Sequence, residues 1–417
     1  MYDRVLLTIL TMGSRGDVEP YVSLGRGIAA SGYRVRIATL APFQGLVRSQ
    51  GLEFRPVPDP LAEFKSSPGW VEWQSSGPTW WRKLSGLRRV LRDARPALLR
   101  AFDECSAACE ASAAVLSAWT AFGGQLIADR LGAFHARTLL QPVTPTRDYP
   151  HFLWPWLGWG LRAVNRTTYP LVEAALGELL GGALNEWRRG RRVRTTGRRA
   201  PVIYGFSEAV LHRPADWPPD VHVAGYWWLD PEPDWKPPDE LAGFVRDGAD
   251  VVCVCHGGTF RPAEEKAALE LVRRGAEAAG CRVLLVSGAG DGAAWVSPKS
   301  LAVNFAPYHW LFRRVGLVVH HGGAGTSAAV LRAGRPSVVL PACFDQPFWA
   351  RAVERLGAAP AALPPSLLTE AAVEKAVGEA IANPAYRRNA LRCAARLAGE
   401  NGVDTAVGIL RRYLPAV

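Results

Sequence analysis

The sequence lacks the long apolar segment that a membrane-spanning helix needs, since no run of about 18 apolar residues is uninterrupted by polar ones. Its first residues, from Met1 to Val5, also lack the plan of a secretory signal peptide, in which a basic region precedes an apolar one. Low-complexity segments are absent as well. These absences predict a globular protein of the cytoplasm.

Paired cysteines with the spacing of a metal site are also missing. The chain has seven cysteines, an odd number, which we interpret as buried thiols in a reducing compartment. Cys253 and Cys255 fall in one predicted strand, where we expect their side chains to point to opposite faces and therefore not to share a metal ion. The sequence thus predicts no metal site.

Acidic residues are fewer than basic ones: 38 aspartates and glutamates stand against 49 lysines and arginines, so the net charge is +11. A basic balance favours anionic partners, meaning phosphates, nucleic acids or acidic membrane surfaces. The densest basic run, residues 188–199, is surrounded by no recognised nucleic-acid-binding module, so a solvated helix end and loop is the simpler interpretation. We therefore expect no nucleic acid partner.

The length of 417 residues exceeds what one hydrophobic core supports, so two domains of roughly 200 residues each are expected. Apolar strands alternate with helical segments along both halves, which is the pattern of α/β domains. The proline-rich segment 227–238 is typical of a linker. The sequence therefore predicts an α/β fold in which residues 1–226 and 239–397 form two domains that face each other across a cleft.

The segment from His321 to Thr326 follows an apolar strand and opens a helix of small residues, predicted over 326–333. Such a turn directs unpaired backbone N–H groups and the positive end of a helix dipole to one place, which suits a phosphate. A tight connection without a ligand is the alternative. The candidate phosphate-binding residues are His321, with its side-chain donor, and the turn residues Gly323, Ala324, Gly325 and Thr326.

The loop after the first predicted strand contains Ser14, Arg15 and Asp17. It lies at the carboxyl end of the first sheet, where open α/β sheets bind ligands. The carboxylate of Asp17 is therefore well placed to act on a ligand. An aspartate beside a helix start is also a good N-cap, so capping alone is the alternative role for Asp17.

Two further loops are predicted to reach the same cleft. Asp345 and Gln346 follow a strand end, and a carboxylate beside an amide is a good pair for binding vicinal hydroxyls. The alternative is that both residues cap the helix that follows. Phe305 and Ala306 begin a loop whose ring faces and main-chain groups suit a nucleobase, although a packed turn explains them equally.

Tryptophan is concentrated in two segments without regular periodicity. Its rings supply rigid apolar area, so the two segments suit the wall of a pocket for an apolar molecule, or contact with a membrane surface. For any one tryptophan a place in the core is the better interpretation, whereas for the cluster as a whole we predict a pocket wall. The candidate wall residues are Trp70, Trp73, Trp80, Trp154 and Trp156.

Five motifs together resemble the inverting GT-B glycosyltransferases that use a nucleotide sugar. The resemblance is greatest to sterol 3β-glucosyltransferases and to the transferases that glycosylate antibiotics. The motifs are in the family's order and span nearly the whole chain: GSRGDVEP at 13–20, YGFS at 204–207, GYW at 225–227, HHGGAGT at 320–326 and DQPFW at 345–349.

This resemblance implies roles for the candidate residues. Asp17 would be the general base for the acceptor hydroxyl, His321 and its turn would bind the diphosphate, and Asp345 with Gln346 would hold sugar hydroxyls. The donor site would also include Ser14, Arg15, Phe305 and Ala306, and the wall tryptophans would bind the acceptor.

The resemblance also implies the substrates and one further element of the fold. The donor would be UDP-glucose or a TDP-sugar, and the acceptor would be apolar, such as a sterol or a polyketide. No metal and no other cofactor would be needed. A last helix, within about 398–417, would return to the first domain, and peripheral contact with an acidic membrane surface is a further expectation.

One loop departs from the family pattern. The family usually has Phe-Gly-Ser where this chain has His256-Gly257-Gly258, so the serine hydroxyl is absent at Gly258, and Thr259 or His256 would have to replace it. A GT-B protein of another activity, epimerase-like or catalytically silent, is therefore the alternative. The tryptophan-rich segments and the retained Asp17 argue against it.

Overall fold

The computed structural model describes residues 5–59, 95–155, 159–197, 199–229, 235–255, 262–286 and 293–415. These residues form two sheets, one in each half of the chain. The α/β fold with two Rossmann-like domains that was expected from the sequence is confirmed by this architecture.

The N-terminal half contains a parallel sheet whose strands are β1 (Leu6–Leu10), β2 (Arg34–Thr39), β3 (Glu53–Pro56), β4 (Ala114–Ser117), β5 (Phe134–Leu139), β6 (Val202–Tyr204) and β7 (Val221–Val223). The strand order is β3-β2-β1-β4-β5-β6-β7, so the direction of winding reverses between β1 and β4. Every residue of β1 is buried, as expected for an apolar strand of a parallel sheet that is covered on both faces.

The C-terminal half contains a second sheet, formed by β8 (Val251–Cys255), β9 (Arg282–Val286), β10 (Ala293–Ser297), β11 (Ser300–Val303), β12 (Leu317–His320) and β13 (Ser337–Val339). The order is β10-β11-β9-β8-β12-β13, and the winding reverses between β8 and β12. All pairs are parallel except β10 with β11. The parallel pairs place the carboxyl ends of their strands at one edge of this sheet.

Helices connect the strands in both halves. In the first half they are α1 (Arg15–Ala30), α2 (Gln44–Ser49), α3 (95–108), α4 (Gly124–Leu131) and α5 (Arg162–Gly190). In the second half they are α6 (Asp239–Phe244), α7 (Pro262–Ala278), α8 (Tyr308–Leu311), α9 (Ala324–Arg332), α10 (Gln346–Arg355), α11 (Glu370–Ala382), α12 (Pro384–Ala398) and α13 (Gly402–Leu410). Within the ranges given above, none of these helices has both the length and the apolar character needed to cross a membrane.

Among the elements that the sequence pattern did not indicate are α5 and β10. The helix α5 contains Pro170 and several glycines, which weaken its helical pattern. The edge strand β10 is a short apolar segment whose middle residues are exposed, unlike the buried strands of the sheet. The basic run at 188–199 begins at the end of α5, where Arg191 forms an ion pair with Asp103 at 2.8 Å, in agreement with a helix end and loop.

The last helix α13 packs against α1 of the first half. A Cβ on Gly27 of α1 would lie 2.3 Å from Val403 Cγ1, so the two helices are in close contact. Val407 and Leu410 are buried in the core that surrounds β1. The chain therefore ends on the domain in which it began.

The start of α13 also contacts the beginning of the segment that joins the two halves. A Cβ on Gly402 would lie 2.4 Å from the carbonyl oxygen of Tyr226 and 2.5 Å from the carbonyl carbon of Gly225. Only glycine leaves room for this approach of two backbones. The chain passes between the domains twice, once at the segment after Tyr226 and once before α13, and these two connections therefore cross in direct contact.

This crossing predicts that Gly402→Ala destabilises the protein, because the new methyl group overlaps main-chain atoms that cannot rotate away. Overpacking of this kind costs about 1–3 kcal/mol. Gly408→Ala in the same helix is the matched control: no atom lies within 4 Å of its added Cβ, so the change is neutral or stabilising by up to about 1 kcal/mol. Thermal unfolding followed by circular dichroism measures both, and equal melting temperatures would contradict the crossing.

Candidate active site

The candidate site lies where the winding of each sheet reverses. Open α/β sheets bind ligands beyond the carboxyl ends of their strands at such a point. In the first sheet β1 leads there into α1, and in the second sheet β12 leads there into α9. The helices α1 and α9 contact each other. The two reversal points therefore meet between the domains.

Asp17 is held at the start of α1 by the residues that precede it. The N–H and the Oγ–H of Ser14 both donate to Asp17 Oδ2, at 2.9 and 2.8 Å. Ser14 is the N-cap and Asp17 is the third residue of the helix, so the N-cap role considered for Asp17 is wrong, and the two residues form a capping box instead. A Cβ on Gly13, whose φ is +133°, would lie 2.5 Å from Asp17 Oδ2, so the carboxylate occupies space that only glycine leaves open.

The surroundings of Asp17 favour its protonated form. Burial raises the pKa of the Asp17 carboxyl above its ordinary value, and the two hydrogen bonds from Ser14 oppose this effect in part. The side chain is only half-buried, so one side of it still faces the cleft. A carboxylate with a raised pKa is a stronger base than an exposed aspartate.

The strand-to-helix turn after β12 requires glycine. Gly322 has a φ of +84°, and a Cβ there would lie 2.8 Å from Val339 Cγ1. Its N–H donates to His320 Nδ1 at 3.1 Å. Burial lowers the pKa of His320 to about 3, so this imidazole is neutral and accepts the hydrogen bond. The neutral ring thereby fixes the turn.

The helix α9 begins at Ala324, two residues earlier than expected, with Gly323 as its N-cap. The first N–H groups of a helix have no partner within it, and here they are those of Ala324, Gly325 and Thr326. The ring of His321 lies against Gly323, where an added Cβ would be 2.5 Å from His321 Nε2. N–H groups at a helix start with an imidazole beside them are suited to bind an anion, and we call this arrangement the anion cradle.

Asp345 lies directly before α10 and accepts hydrogen bonds from residues of both domains. Trp349 Nε1 donates to Asp345 Oδ2 at 3.2 Å, and Gln141 Nε2 from the first domain donates to the same oxygen at 3.3 Å. The Asp345 side chain does not cap α10. Burial raises the pKa of Asp345 to about 6, and the charge of Asp17 adds to this increase. The two carboxyl groups are therefore close enough to interact across the cleft.

Gln346 has a more local role than Asp345. It is buried, and its Oε1 accepts hydrogen bonds from the N–H groups of Ala342 and Cys343, at 2.9 and 3.3 Å. This bonding closes the loop that carries Asp345. Phe344 has a φ of +54° in the same loop, a conformation that costs about 1–3 kcal/mol and is found mainly at functional sites.

Phe305 and Arg15 face each other from opposite domains. The guanidinium carbon of Arg15 lies 5.4 Å from the centre of the Phe305 ring, within the range of a cation–π contact. Phe305 is 48% exposed, so its ring offers a free surface, whereas Ala306 is buried. An exposed aromatic ring near the anion-binding turn is a suitable surface for a planar base.

Comparison with known proteins agrees with this geometry. The glycosyltransferase family 28 N-terminal domain matches residues 7–150, and the C-terminal domain of erythromycin biosynthesis protein CIII-like proteins matches residues 283–408. O-mycaminosyltylonolide 6-deoxyallosyltransferase from Streptomyces fradiae is 32% identical over 442 residues, which cover 98% of this chain and 97% of that enzyme. The chain belongs to the GT-B glycosyltransferases.

Two further similarities place this glycosyltransferase among its relatives. A sterol 3-beta-glucosyltransferase from Neosartorya fischeri is 32% identical over 432 residues, which cover 98% of this chain and 29% of that longer protein. The crystal structure of the glycosyltransferase VinC in complex with dTDP has a TM-score of 0.65 at 18% identity, with 98% of this chain and 99% of VinC covered. The latter similarity shows the shared fold.

Of the candidate wall residues of the glycosyltransferase, only Trp154 lies in the described part of the chain, where it is half-buried. Its neighbours Tyr149, Phe152 and Trp159 are buried in a core that spans both domains, and the centre of the Trp159 ring is 4.9 Å from that of Phe348 in α10. The centre of the Tyr149 ring is 5.6 Å from that of Phe348, so Tyr149 and Trp159 both contact the second domain. Outside the described residues are Trp70, Trp73, Trp80 and Trp156, and also Gly258 and Thr259.

Sequence analysis did not identify two aromatic residues that follow β4. Trp119 and Phe122 are half-buried, with ring centres 5.3 Å apart. Thr120, which follows Trp119, donates its hydroxyl hydrogen to the carbonyl of Met12 at 2.6 Å, which fixes this loop to the loop that leads to Asp17. The reversal of strand order at β4 was the signal that could have identified them, since loops at that point line the ligand crevice.

Other titratable residues of the first domain have structural partners. His135 bonds to Ser117 and Gln125, and burial lowers its pKa to about 4. Burial likewise lowers the pKa of His151 to about 4, and its Nδ1 accepts from the N–H of Leu153. Asp148 is paired with Arg162 and His212, which also ties it to its own domain. These contacts leave Asp17 as the better candidate base.

The expectation for two cysteines of the donor-side sheet is wrong. Cys253 and Cys255 point to the same face of β8, with their Sγ atoms 3.4 Å apart. Residues two positions apart in a strand share a face, because the side-chain period is two. Both thiols are buried, and burial raises the pKa of Cys253 well above its usual range, so this thiol is protonated and part of the core.

The raised pKa of Asp345 predicts a pH-dependent difference in stability between the wild type and Asp345→Asn. The folded state binds this proton more tightly than the unfolded state. The bound proton therefore stabilises the folded wild type fully below pH 3.8, and this stabilisation is lost as the pH rises through about 6. Asparagine does not titrate. The stability of Asp345→Asn relative to wild type should therefore increase from pH 4 to pH 6 and then level off.

Urea midpoints at several pH values measure this difference. Asp247→Asn, the same change at an exposed position, is the control for the substitution itself. A constant difference between wild type and Asp345→Asn from pH 4 to pH 7 would contradict the raised pKa.

Proposed function

We propose that this glycosyltransferase moves a hexose, with glucose as the first candidate, from a nucleoside diphosphate sugar to a hydroxyl group of a small apolar acceptor, with inversion. The observation that carries the proposal is the placement of Asp17 after β1 of one domain and of Asp345 before α10 of the other, at the edges where α1 contacts α9 and Gln141 of the first domain donates to Asp345. One belongs to the loop proposed to act on the acceptor. The other lies beside the anion cradle, where the sugar of a bound donor would be.

The donor site is assigned to the second domain and to the loop before α1. The first N–H groups of α9 and the His321 ring would bind the diphosphate, since a helix start stabilises an anion. They would also stabilise the charge of the leaving diphosphate, so the proposed reaction uses no metal. Phe305 would stack on the base, with Ser14 and Arg15 at the opposite side of the cleft. The dTDP in the VinC complex supports a nucleoside diphosphate, and UDP-glucose and TDP-sugars are the donors to test.

Asp345 would hold hydroxyl groups of the transferred sugar. Its two oxygens are acceptors, and sugar hydroxyls donate to a carboxylate strongly. Gln346 supports this site mainly through the loop that its side chain closes.

The acceptor site is assigned to the first domain, beside Asp17. Trp154, Trp119 and Phe122 supply half-buried apolar rings on the loops of this sheet edge. The relatives described above are named for O-mycaminosyltylonolide and for sterols, which are apolar or largely apolar molecules. A sterol, a polyketide or a similar natural product is therefore the proposed acceptor class.

In the proposed mechanism Asp17 takes the proton from the acceptor hydroxyl while that oxygen attacks the anomeric carbon. The diphosphate leaves from the opposite face of the sugar, so the configuration inverts. An alcohol is a weak nucleophile at neutral pH, and a positioned base contributes about 10²–10⁴-fold. The raised pKa of Asp17 suits this role, and its two hydrogen bonds from Ser14 hold the carboxylate in position.

Domain boundaries at 226 and 239 remain part of the proposal. Trp227 packs on Tyr21 in the core of the first domain, at 5.5 Å between ring centres, and Trp235 packs on Trp310 of the second domain at 5.2 Å. The two ends of the segment 227–238 therefore belong to different cores, as a linker requires. A cytoplasmic location and contact with an acidic membrane surface stay predictions from the sequence.

A GT-B protein of another activity is the second candidate. The altered loop at 256–258, which lies outside the described residues, is the observation that favours it. An epimerase-like or silent protein would bind the nucleotide sugar without transfer to an alcohol. The experiments below separate the two, since donor binding is common to both and turnover is not.

The donor assignment predicts that the protein binds UDP or TDP, as measured by titration calorimetry. His321→Ala should weaken binding of the nucleoside diphosphate by about 3- to 10-fold and leave binding of the free nucleoside unchanged, because the lost donor faces phosphate. His222→Ala, at the far edge of the first sheet, is the control. If neither nucleotide binds at millimolar concentration, the donor site is wrongly assigned. Mass analysis of products from UDP-glucose with sterols and polyketides then tests transfer.

The base assignment predicts that Asp17→Asn lowers kcat by at least about 10²-fold with little change in melting temperature. The amide oxygen of asparagine can still accept the hydrogen bonds from Ser14, so the capping box persists. Asp404→Asn is a matched control, because Asp404 is also the third residue of a helix with a side-chain N-cap, Asn401. Near-normal turnover by Asp17→Asn would exclude Asp17 as the base.

A further inference from the structure

Gln141 is the residue through which the first domain reaches the proposed sugar site. It lies two positions after the end of β5, and its Nε2–H donates to Asp345 Oδ2 at 3.3 Å. The same oxygen accepts from Trp349 Nε1, which belongs to the helix that Asp345 precedes. One donor to this oxygen is therefore fixed within the second domain, and the other comes from across the cleft.

The two hydrogen bonds to Asp345 differ in how easily they can be exchanged. Trp349 is buried and rigid, so its indole N–H stays in place. Gln141 is only half-buried, and its side chain has several rotatable bonds. The contact from Gln141 is therefore the one that a ligand can replace at small cost.

The chemistry of the second domain leaves a role for such an amide. Asp345 as a carboxylate offers only acceptors, and the Oε1 of Gln346 is already bonded to the loop at Ala342 and Cys343. A sugar hydroxyl both donates and accepts. An amide from the opposite domain supplies a donor and an acceptor together, which complements the carboxylate.

We propose that Gln141 determines specificity for the donor sugar: its amide exchanges its hydrogen bond to Asp345 for one to a hydroxyl of the sugar when the donor is bound. This inference rests on the proposed function and adds a residue of the acceptor-side domain to the sugar site. The first domain would thus contact the sugar as well as the acceptor. Free nucleoside diphosphate, which lacks the transferred hexose, would not reach Gln141.

Gln141→Met tests the proposal, because methionine keeps the length of the side chain and removes the amide. Titration calorimetry with UDP, TDP, UDP-glucose and TDP-glucose gives the dissociation constants without any need for an acceptor. Binding of the sugar nucleotide that the wild type binds should weaken by about 3- to 10-fold, whereas the dissociation constant of the matching nucleoside diphosphate should change less than about twofold. Gln50→Met, the same change at the half-buried C-cap of α2, should alter neither constant.

Deoxy analogues of the sugar nucleotide identify the hydroxyl that Gln141 contacts. For one analogue the wild type should already show the weaker binding, and Gln141→Met should then cause no further loss. An equal loss for the sugar nucleotide and the nucleoside diphosphate, or no loss for either, would overturn the role of Gln141. Failure of the wild type to bind any nucleoside diphosphate is a different result, since it would overturn the donor site itself.

Discussion

The candidate site depends on the parallel direction of the strands in both sheets. Parallel strands bring all their carboxyl ends to one edge, so the helices that follow begin there as well. In this protein α1 and α9 start at the facing edges of two such sheets and contact each other. The positive ends of two helix dipoles therefore point into one cleft, and this field is what makes the cleft a favourable place for carboxylates and phosphates.

The field of the helix dipoles does not outweigh the effect of burial on the two facing carboxyl groups. The pKa values of Asp17 and Asp345 are both raised by burial, and for Asp345 the charge of Asp17 contributes as well. The cleft therefore disfavours two negative charges at once. A bound sugar that donates hydroxyl hydrogens to Asp345 would stabilise its charged form and would separate it from Asp17. Donor binding and the protonation of the proposed base are then linked through one electrostatic interaction.

Sequence reasoning succeeded where the pattern is local. The apolar strands, the glycines before α9 and the place of Asp17 after β1 follow from short-range patterns, and the fold they predict is confirmed. The role of Ser14 as N-cap was also readable, because a serine three residues before an acidic residue is close to the capping-box pattern. The N-cap role considered for Asp17 overlooked that spacing.

Long-range packing could not be read in the same way. Whether a tryptophan is part of a wall or of a core depends on residues far away in the chain, as Trp159 shows by its contact with Phe348. Gln141 carries no pattern of its own, and only the folded structure brings it to Asp345.

The crossing of the two connections has a consequence for protein engineering. Because α13 packs on α1, the unit that contains the first sheet is discontinuous along the chain, and its last helix is encoded after the second sheet. A chimaera joined only within the linker would pair α1 of one parent with α13 of the other. Exchange of the whole first domain between relatives therefore requires two junctions, one in the linker after Gly225 and one before Gly402, so that both helices come from the same parent.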